Sequence, residues 1–222
     1  MKENSKLVLD LGAGRGGMSS AFRDKEEYEV VTIDVNPRFS PSLLIDLVSA
    51  VENPDAYLDF WKLQPHVILA SPPCNHFSYA ARSNGWPREG IYKGLRTAGA
   101  FMEVIARMHP PYWILENPRG YLRYFIGTAK VRLNLNRFGY RTVKPTDFWT
   151  NLNIGLVPEA GRRNTRGSFD KIRDPSVRAE MPYGLSQLFC DSVSGEKGRL
   201  PTPPIKGSRP GKNPPNGGET GK

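Results

Sequence analysis

Lys6-Leu7-Val8-Leu9-Asp10-Leu11-Gly12-Ala13-Gly14-Arg15-Gly16-Gly17 decides the fold. A short aliphatic run that ends on an acid and meets glycines at once is the pattern of a buried parallel strand feeding a tight turn. Working outward, residues 29–33 (EVVTI) end on Asp34, and residues 66–70 (HVILA) end on Ser71 and a double proline. Residues 112–115 (YWIL) end on Glu116 and Asn117. Between the third and fourth runs Leu95, Ala98, Met102 and Ile105 recur at helical spacing, which predicts a crossover helix over 89–109 that Pro110 stops. Strands alternating with helices predict an α/β fold, a doubly wound and mostly parallel sheet. In such sheets ligands bind outside the carboxyl ends of the strands, so the polar endings converge on one rim.

Gly12, Gly14 and Gly17 stand at the intervals of a dinucleotide-binding turn. A pyrophosphate wants backbone amides free of nearby negative charge, whereas Asp10, on the strand before the turn, suits a cationic or zwitterionic ligand. That points to S-adenosylmethionine. Asp34 is placed to accept ribose hydroxyls and Asp46 to meet an adenine amino group; alternatively both acids cap helices.

Ser71-Pro72-Pro73-Cys74-Asn75-His76-Phe77-Ser78 sets a thiol directly after two prolines, whose fixed φ makes a stiff mount for a nucleophile. A helix N-terminus following it would lower the thiol's pKa. Cys190, in Leu188-Phe189-Cys190, reads as a structural cysteine. Glu116, on the neighbouring strand end 42 residues beyond Cys74, can face the same cavity.

Composition bounds the rest. The 222 residues allow one domain with a good core, and 38% hydrophobic content holds no stretch near the roughly 18 apolar residues of a membrane span. No signal-peptide core opens the chain, so a soluble, cytoplasmic protein without a membrane partner is expected. Two cysteines make neither a disulfide framework nor a zinc site, and no metal is expected. Thirty-one Lys and Arg against 22 Asp and Glu give a net +9, which favours a polyanionic partner.

Residues 1–190 read as the catalytic domain. Residues 191–222 read as a disordered tail with seven Gly and six Pro, in which six Lys or Arg face Asp191, Glu196 and Glu219. The tail is either passive or lengthens a basic footprint.

Asp10-Leu11, Ala13-Gly14, Gly16-Gly17, Pro72-Pro73-Cys74 with Phe77-Ser78, and Glu116-Asn117 occur in the order in which the DNA cytosine-5 methyltransferase family carries its motifs, and over roughly residues 6–190 the chain resembles that family. The resemblance implies a methyltransferase fold of the Rossmann-like kind and S-adenosylmethionine as cofactor, held by Asp10, Gly12, Gly14, Gly16, Asp34, Asp46 and Pro72. It implies that the Cys74 thiolate attacks carbon 6 of a flipped-out cytosine while Glu116 binds and protonates ring nitrogen 3. Arg141 and Lys144 would stand for the family's arginine-rich strand near the cysteine and the pyrimidine oxygen; otherwise they are surface cations on an edge strand beside a core tryptophan.

Departures from the family are Gly12 for its aromatic, Asn75 for its glutamine and Pro118 for its valine. The family's separate recognition domain shrinks to residues 151–181. There Arg162, Arg163, Arg166, Lys171 and Arg173 read as a phosphate-gripping segment rather than a reader of base edges, which implies relaxed specificity or a partner protein supplying it. The family's C-terminal helix, which returns to the glycine turn, has no counterpart in the Gly/Pro tail, so an open cofactor pocket is expected.

Rivals on the same residues are an RNA cytosine-5 methyltransferase and a catalytically silent nucleic-acid-binding relative. An amino-methyltransferase would carry an aromatic where Cys74 stands, and a nicotinamide oxidoreductase would leave Cys74 and Glu116 without a role.

Overall fold

The computed structural model describes residues 5–79, 88–140, 143–154, 174, 177 and 179–195. Along the chain run β1 (Lys6–Leu11), α1 (Ser20–Arg23), β2 (Tyr28–Asp34), β3 (Leu43–Leu44), α2 (Leu47–Glu52), α3 (Leu58–Trp61) and β4 (Val67–Ala70). There follow α4 (Arg88–Met108), β5 (Tyr112–Pro118), α5 (Arg123–Ile126), β6 (Val131–Asn134), β7 (Pro145–Thr150) and α6 (Tyr183–Ser194).

The strands form one sheet in the order β3-β2-β1-β4-β5-β7-β6. The pairings among β1 to β5 are parallel, and β7 runs antiparallel to both β5 and β6. This is the expected doubly wound, Rossmann-like architecture. Strand side chains alternate between faces, so Val8, Val67 and Leu69 join one core with Phe22, Leu185 and Phe189. Leu7, Leu9, Leu11, Ile68 and Ala70 join the other, with Phe101 and Val104 of α4. Both faces are covered, which is why β1 and β4 are aliphatic almost throughout. Helix α4 ends where expected, at a left-handed His109 (φ 45°) followed by Pro110. None of the described helices is long and apolar enough to cross a membrane.

Two features differ from the sequence reading. The segment read as an edge strand, β7, is interior: β5 flanks it on one side and the edge strand β6 on the other. Lys144, just before it, is only 5% exposed, so it is no surface cation.

The returning C-terminal helix, for which no counterpart was expected, is α6, and it runs to Ser194, past the 190/191 boundary drawn from composition. Leu185, Leu188, Phe189 and Val193 recur at helical spacing and are buried. Ser186 fixes the docking, because its hydroxyl donates to the Met18 carbonyl (2.6 Å) and accepts from the Ala21 amide (3.0 Å). Gly17 permits the approach: a Cβ there would lie 2.6 Å from the Met181 carbonyl oxygen. The cavity beside the glycine turn therefore has a wall on this side, to which Glu180 and Met181 contribute.

Candidate active site

The chain leaves β1 for the outer strands β2 and β3 and returns to β4 on the other side of β1, so the strand order switches between β1 and β4. The carboxyl ends of β1, β4 and β5 border a cavity of about 360 Å³ at that switch. Gly12, Gly14, Asp34, Asp46, Pro72, Cys74, Glu116 and Lys144 all line it. The sequence-derived residues from four strand ends thus meet in one space.

The glycine turn has the close packing its composition suggested. Gly12 sits at φ +66°, and a Cβ on it would lie 2.6 Å from the Ser71 carbonyl oxygen and 3.0 Å from the Phe101 ring. The Gly14 amide donates to Asp34 (2.8 Å), and the other Asp34 oxygen accepts from the Asn36 amide (2.8 Å). Asp34 is therefore fixed by two backbone donors while keeping lone pairs for a ligand. Asp46 caps α2 through the Val48 amide (3.1 Å) and the Ser49 hydroxyl (3.0 Å), and it also lines the cavity.

Asp10 and Gly16 stand behind the turn and not on the cavity wall. Asp10 shares the sheet face of Val8, and its carboxylate accepts from the Ser19 hydroxyl (2.5 Å). Burial pushes its carboxyl up to about 6, against the Ser19 hydrogen bond and the Arg23 charge, which pull it down. The Gly16 carbonyl accepts from the Arg23 guanidinium (2.8 Å). Ser19 and Arg23 thus brace the turn from the two ends of α1.

Cys74 is half-buried at the end of the double-proline loop. Its carbonyl accepts from the Phe77 amide (3.0 Å) and the Ser78 amide (2.9 Å), so one tight turn follows it. A helix N-terminus was expected to follow, and residues 80–87 lie outside the described residues. Cys190 is fully buried in the core, as a structural cysteine should be.

Glu116 is 5% exposed, and its Oε1 is buried with no hydrogen-bond partner among the described residues. Burial pushes its carboxyl up to about 7; the Lys144 charge pulls it down and Asp147 adds to the rise. A carboxyl group with that value exchanges a proton near neutrality.

Asn117, which the sequence reading quoted but gave no role, donates its amide to the Pro72 carbonyl (3.0 Å) and so ties the glutamate strand to the cysteine loop. Phe101 and Met181 were also missed as cavity residues. Phe101 sits one residue before the Met102 that the helical spacing marked, and Met181 lies beside the unrecognised α6. Arg141 and the basic residues Arg162, Arg163, Arg166, Lys171 and Arg173 lie outside the described residues.

No protein-family model matches the chain. A protein of frog virus 3 (isolate Goorha) named "Probable DNA (cytosine-5)-methyltransferase" is 28% identical over 166 residues, which are 68% of this chain and 73% of that protein. Among solved structures, a "putative DNA modification methyltransferase encoded within prophage" of E. coli aligns at a TM-score of 0.43 and 18% identity, over 68% of this chain and 49% of that one. In its motif order and in the viral relative it matches, the chain is thus similar to the DNA (cytosine-5) methyltransferases.

Proposed function

We propose that this chain transfers a methyl group from S-adenosylmethionine to carbon 5 of cytosine in DNA. The observation that carries the reading is that Cys74 and Glu116, on neighbouring strand ends, line one cavity with the glycine turn and Asp34.

The cavity suits the cofactor. Glycines that admit close backbone approach, the anchored Asp34, and the apolar side chains of Val35, Phe39, Ile45 and Phe101 give a nucleoside both polar and ring contacts. Asp34, Asp46 and Glu180 supply negative charge for a cationic group. When bound, S-adenosylmethionine supplies an electrophilic methyl group.

The chain's own residues make carbon 5 reactive. The Cys74 thiolate adds to carbon 6 of an extruded cytosine, forming a carbon–sulfur bond and pushing an electron pair into the ring. Protonated Glu116 meets that charge by giving its proton to nitrogen 3, and carbon 5 becomes nucleophilic. After methylation the proton on carbon 5 passes to solvent, its bonding pair re-forms the 5,6 double bond as Cys74 leaves as thiolate, and nitrogen 3 returns its proton to Glu116. Lys144 faces the same cavity and balances the carboxylate that remains. Extrusion is needed because neither ring atom is reachable inside a stacked duplex. Arg141 is proposed beside Lys144, and Arg162, Arg163, Arg166, Lys171 and Arg173 as phosphate contacts. Residues 151–181 are few for base readout, so target specificity is short or is supplied by a partner.

A duplex carrying 5-fluorocytosine tests the reading, because fluorine at carbon 5 cannot leave as a proton. With cofactor, the natural protein should give a denaturant-resistant adduct and Cys74→Ala none. Absence of an adduct across varied DNA and RNA sequences overturns the mechanism, and an adduct on RNA alone reassigns the substrate.

A further inference from the structure

The two loops that carry Cys74 and Glu116 also carry a cluster of aromatic rings outside the cavity. Tyr79 follows Cys74 by five residues, and Tyr121 follows Glu116 by five. The loops are clasped together: Ser78 bridges Gly120, and the Tyr121 amide donates to the Phe77 carbonyl (2.7 Å). A Cβ at Gly120 would lie 2.1 Å from the Phe77 carbonyl oxygen, so only glycine lets the loops meet this closely. The Tyr79 and Tyr121 rings pack edge to face at 5.1 Å, Tyr121 lies 6.1 Å from Tyr124, and Phe125 lies 6.2 Å from the buried Phe77.

These rings are held by a rigid base yet open to solvent. Tyr124 is 72% exposed, Tyr79 49% and Phe125 45%. Of the nine large apolar side chains exposed among the described residues, three stand here, on the loops that follow Cys74 and Glu116. The acid nearest these loops, Asp147, is buried and is neutralised by Arg123 and Arg132. Residues 74–79 and 117–134 contain no Asp or Glu, and Arg119, two residues before Tyr121, is exposed. Exposed aromatic faces beside an exposed cation, on loops with no acid of their own, match a polynucleotide whose bases are unstacked, because every base offers a π-face and every linkage a negative charge.

We propose that Tyr79, Tyr121, Tyr124 and Phe125 form a stacking platform for bases next to the target cytosine in a locally unpaired DNA strand. The platform rests on the methyltransferase reading for which base is the target, but its grip on single strands does not need methyl transfer. It would hold the strand at the cavity mouth and so compensate for the short recognition segment.

The test measures binding of the full-length protein to fluorescein-labelled single-stranded DNA and to the matched duplex by anisotropy, without cofactor. Tyr124→Ala and Tyr79→Ala should each weaken single-strand binding about 5-fold to 100-fold, the range seen when one stacked base is lost. Tyr124→Phe and Tyr79→Phe should bind as the natural protein does, because the ring is kept. A 2-aminopurine beside the target cytosine should be quenched by the natural protein and not by Tyr124→Ala. Unchanged affinity in the alanine variants, equal losses on duplex and single strand, or phenylalanine variants as weak as alanine would each overturn the platform. The 5-fluorocytosine adduct reads a different event, so losing the adduct while ring dependence persists removes the enzymatic reading and leaves the platform standing.

Discussion

Glu116 concentrates the chemistry and the cost of the site in one side chain. Its carboxyl stands near 7 in the folded protein against 4.5 as its ordinary value, so folding favours the protonated form. The resulting stability is fully present below about 4.5 and is lost as pH rises through about 7. Relative to Glu116→Gln, the natural protein should therefore lose unfolding free energy over that window, measured by denaturant titration at several pH values. A difference that stays flat with pH would mean the carboxyl is not raised. The same proton is the one the mechanism delivers, so kcat/KM should fall above about pH 7, and Glu116→Gln should lower turnover at least about a hundredfold. Lys144 supplies the next step. Its charge holds Glu116 down, so Lys144→Met should move the alkaline limb of kcat/KM to higher pH. A limb that does not move would separate Lys144 from the proton.

At the scale of elements, the turn after β1 is held by backbone bonds to Ile33 and by the Asp34 and Arg23 side chains, and its glycines let it pack closely. Gly12→Ala forces a left-handed alanine, at about 1–2 kcal/mol, and also drives a methyl group against the Ser71 carbonyl at 2.6 Å. Gly14→Ala meets only the first penalty, since nothing lies within 4 Å of a Cβ there. Calorimetry with S-adenosylhomocysteine should show binding lost in Gly12→Ala and weakened far less in Gly14→Ala. Equal losses would mean that the β1–β4 packing does not shape the pocket. This turn was legible in the sequence because its strand, its glycines and its acids are contiguous. For the same reason β1 appears with its expected bounds, while β2, β4, β5 and α4 differ by a few residues. What the sequence hid was whatever depends on distant partners. β3 has two residues, too few for a pattern. The place of β7 between β5 and β6 is set by pairing such as Glu116 with Phe148, which no local period encodes. Gly12, Gly14, Asp34, Pro72, Cys74 and Glu116 were readable as cavity residues because each lies at or just beyond the end of a strand with a visible pattern, whereas Asp46 follows β3 and Lys144 precedes β7. Asp10 lies off the cavity wall because the alternation along β1, taken with the position of α1, turns it toward Ser19.

Over the whole molecule, α6 ties the end of the described chain to the sheet. Leu185, Leu188, Phe189 and Val193 bury apolar surface worth on the order of 10 kcal/mol at roughly 1.5–3 kcal/mol per side chain. That is comparable with the entire net stability of an ordinary domain, about 5–15 kcal/mol. A chain cut before Tyr183 should therefore show no cooperative thermal transition. A chain cut after Gly195 should keep the natural Tm, because the residues removed are poor in aliphatics. The second truncation also locates the electrostatic footprint. The natural protein, at net +9, should lose polynucleotide affinity steeply between about 50 and 200 mM salt, each neutralised phosphate adding roughly 0.7–0.9 to the logarithmic slope. Residues 196–222 carry six of the 31 cations together with Glu196 and Glu219. If the footprint belongs to the cavity rim and the 151–181 segment, the shortened chain keeps the slope to within about one phosphate. A slope reduced by three or more would make the tail part of the grip, and the basic segment between β7 and α6 would then no longer account for the binding on its own.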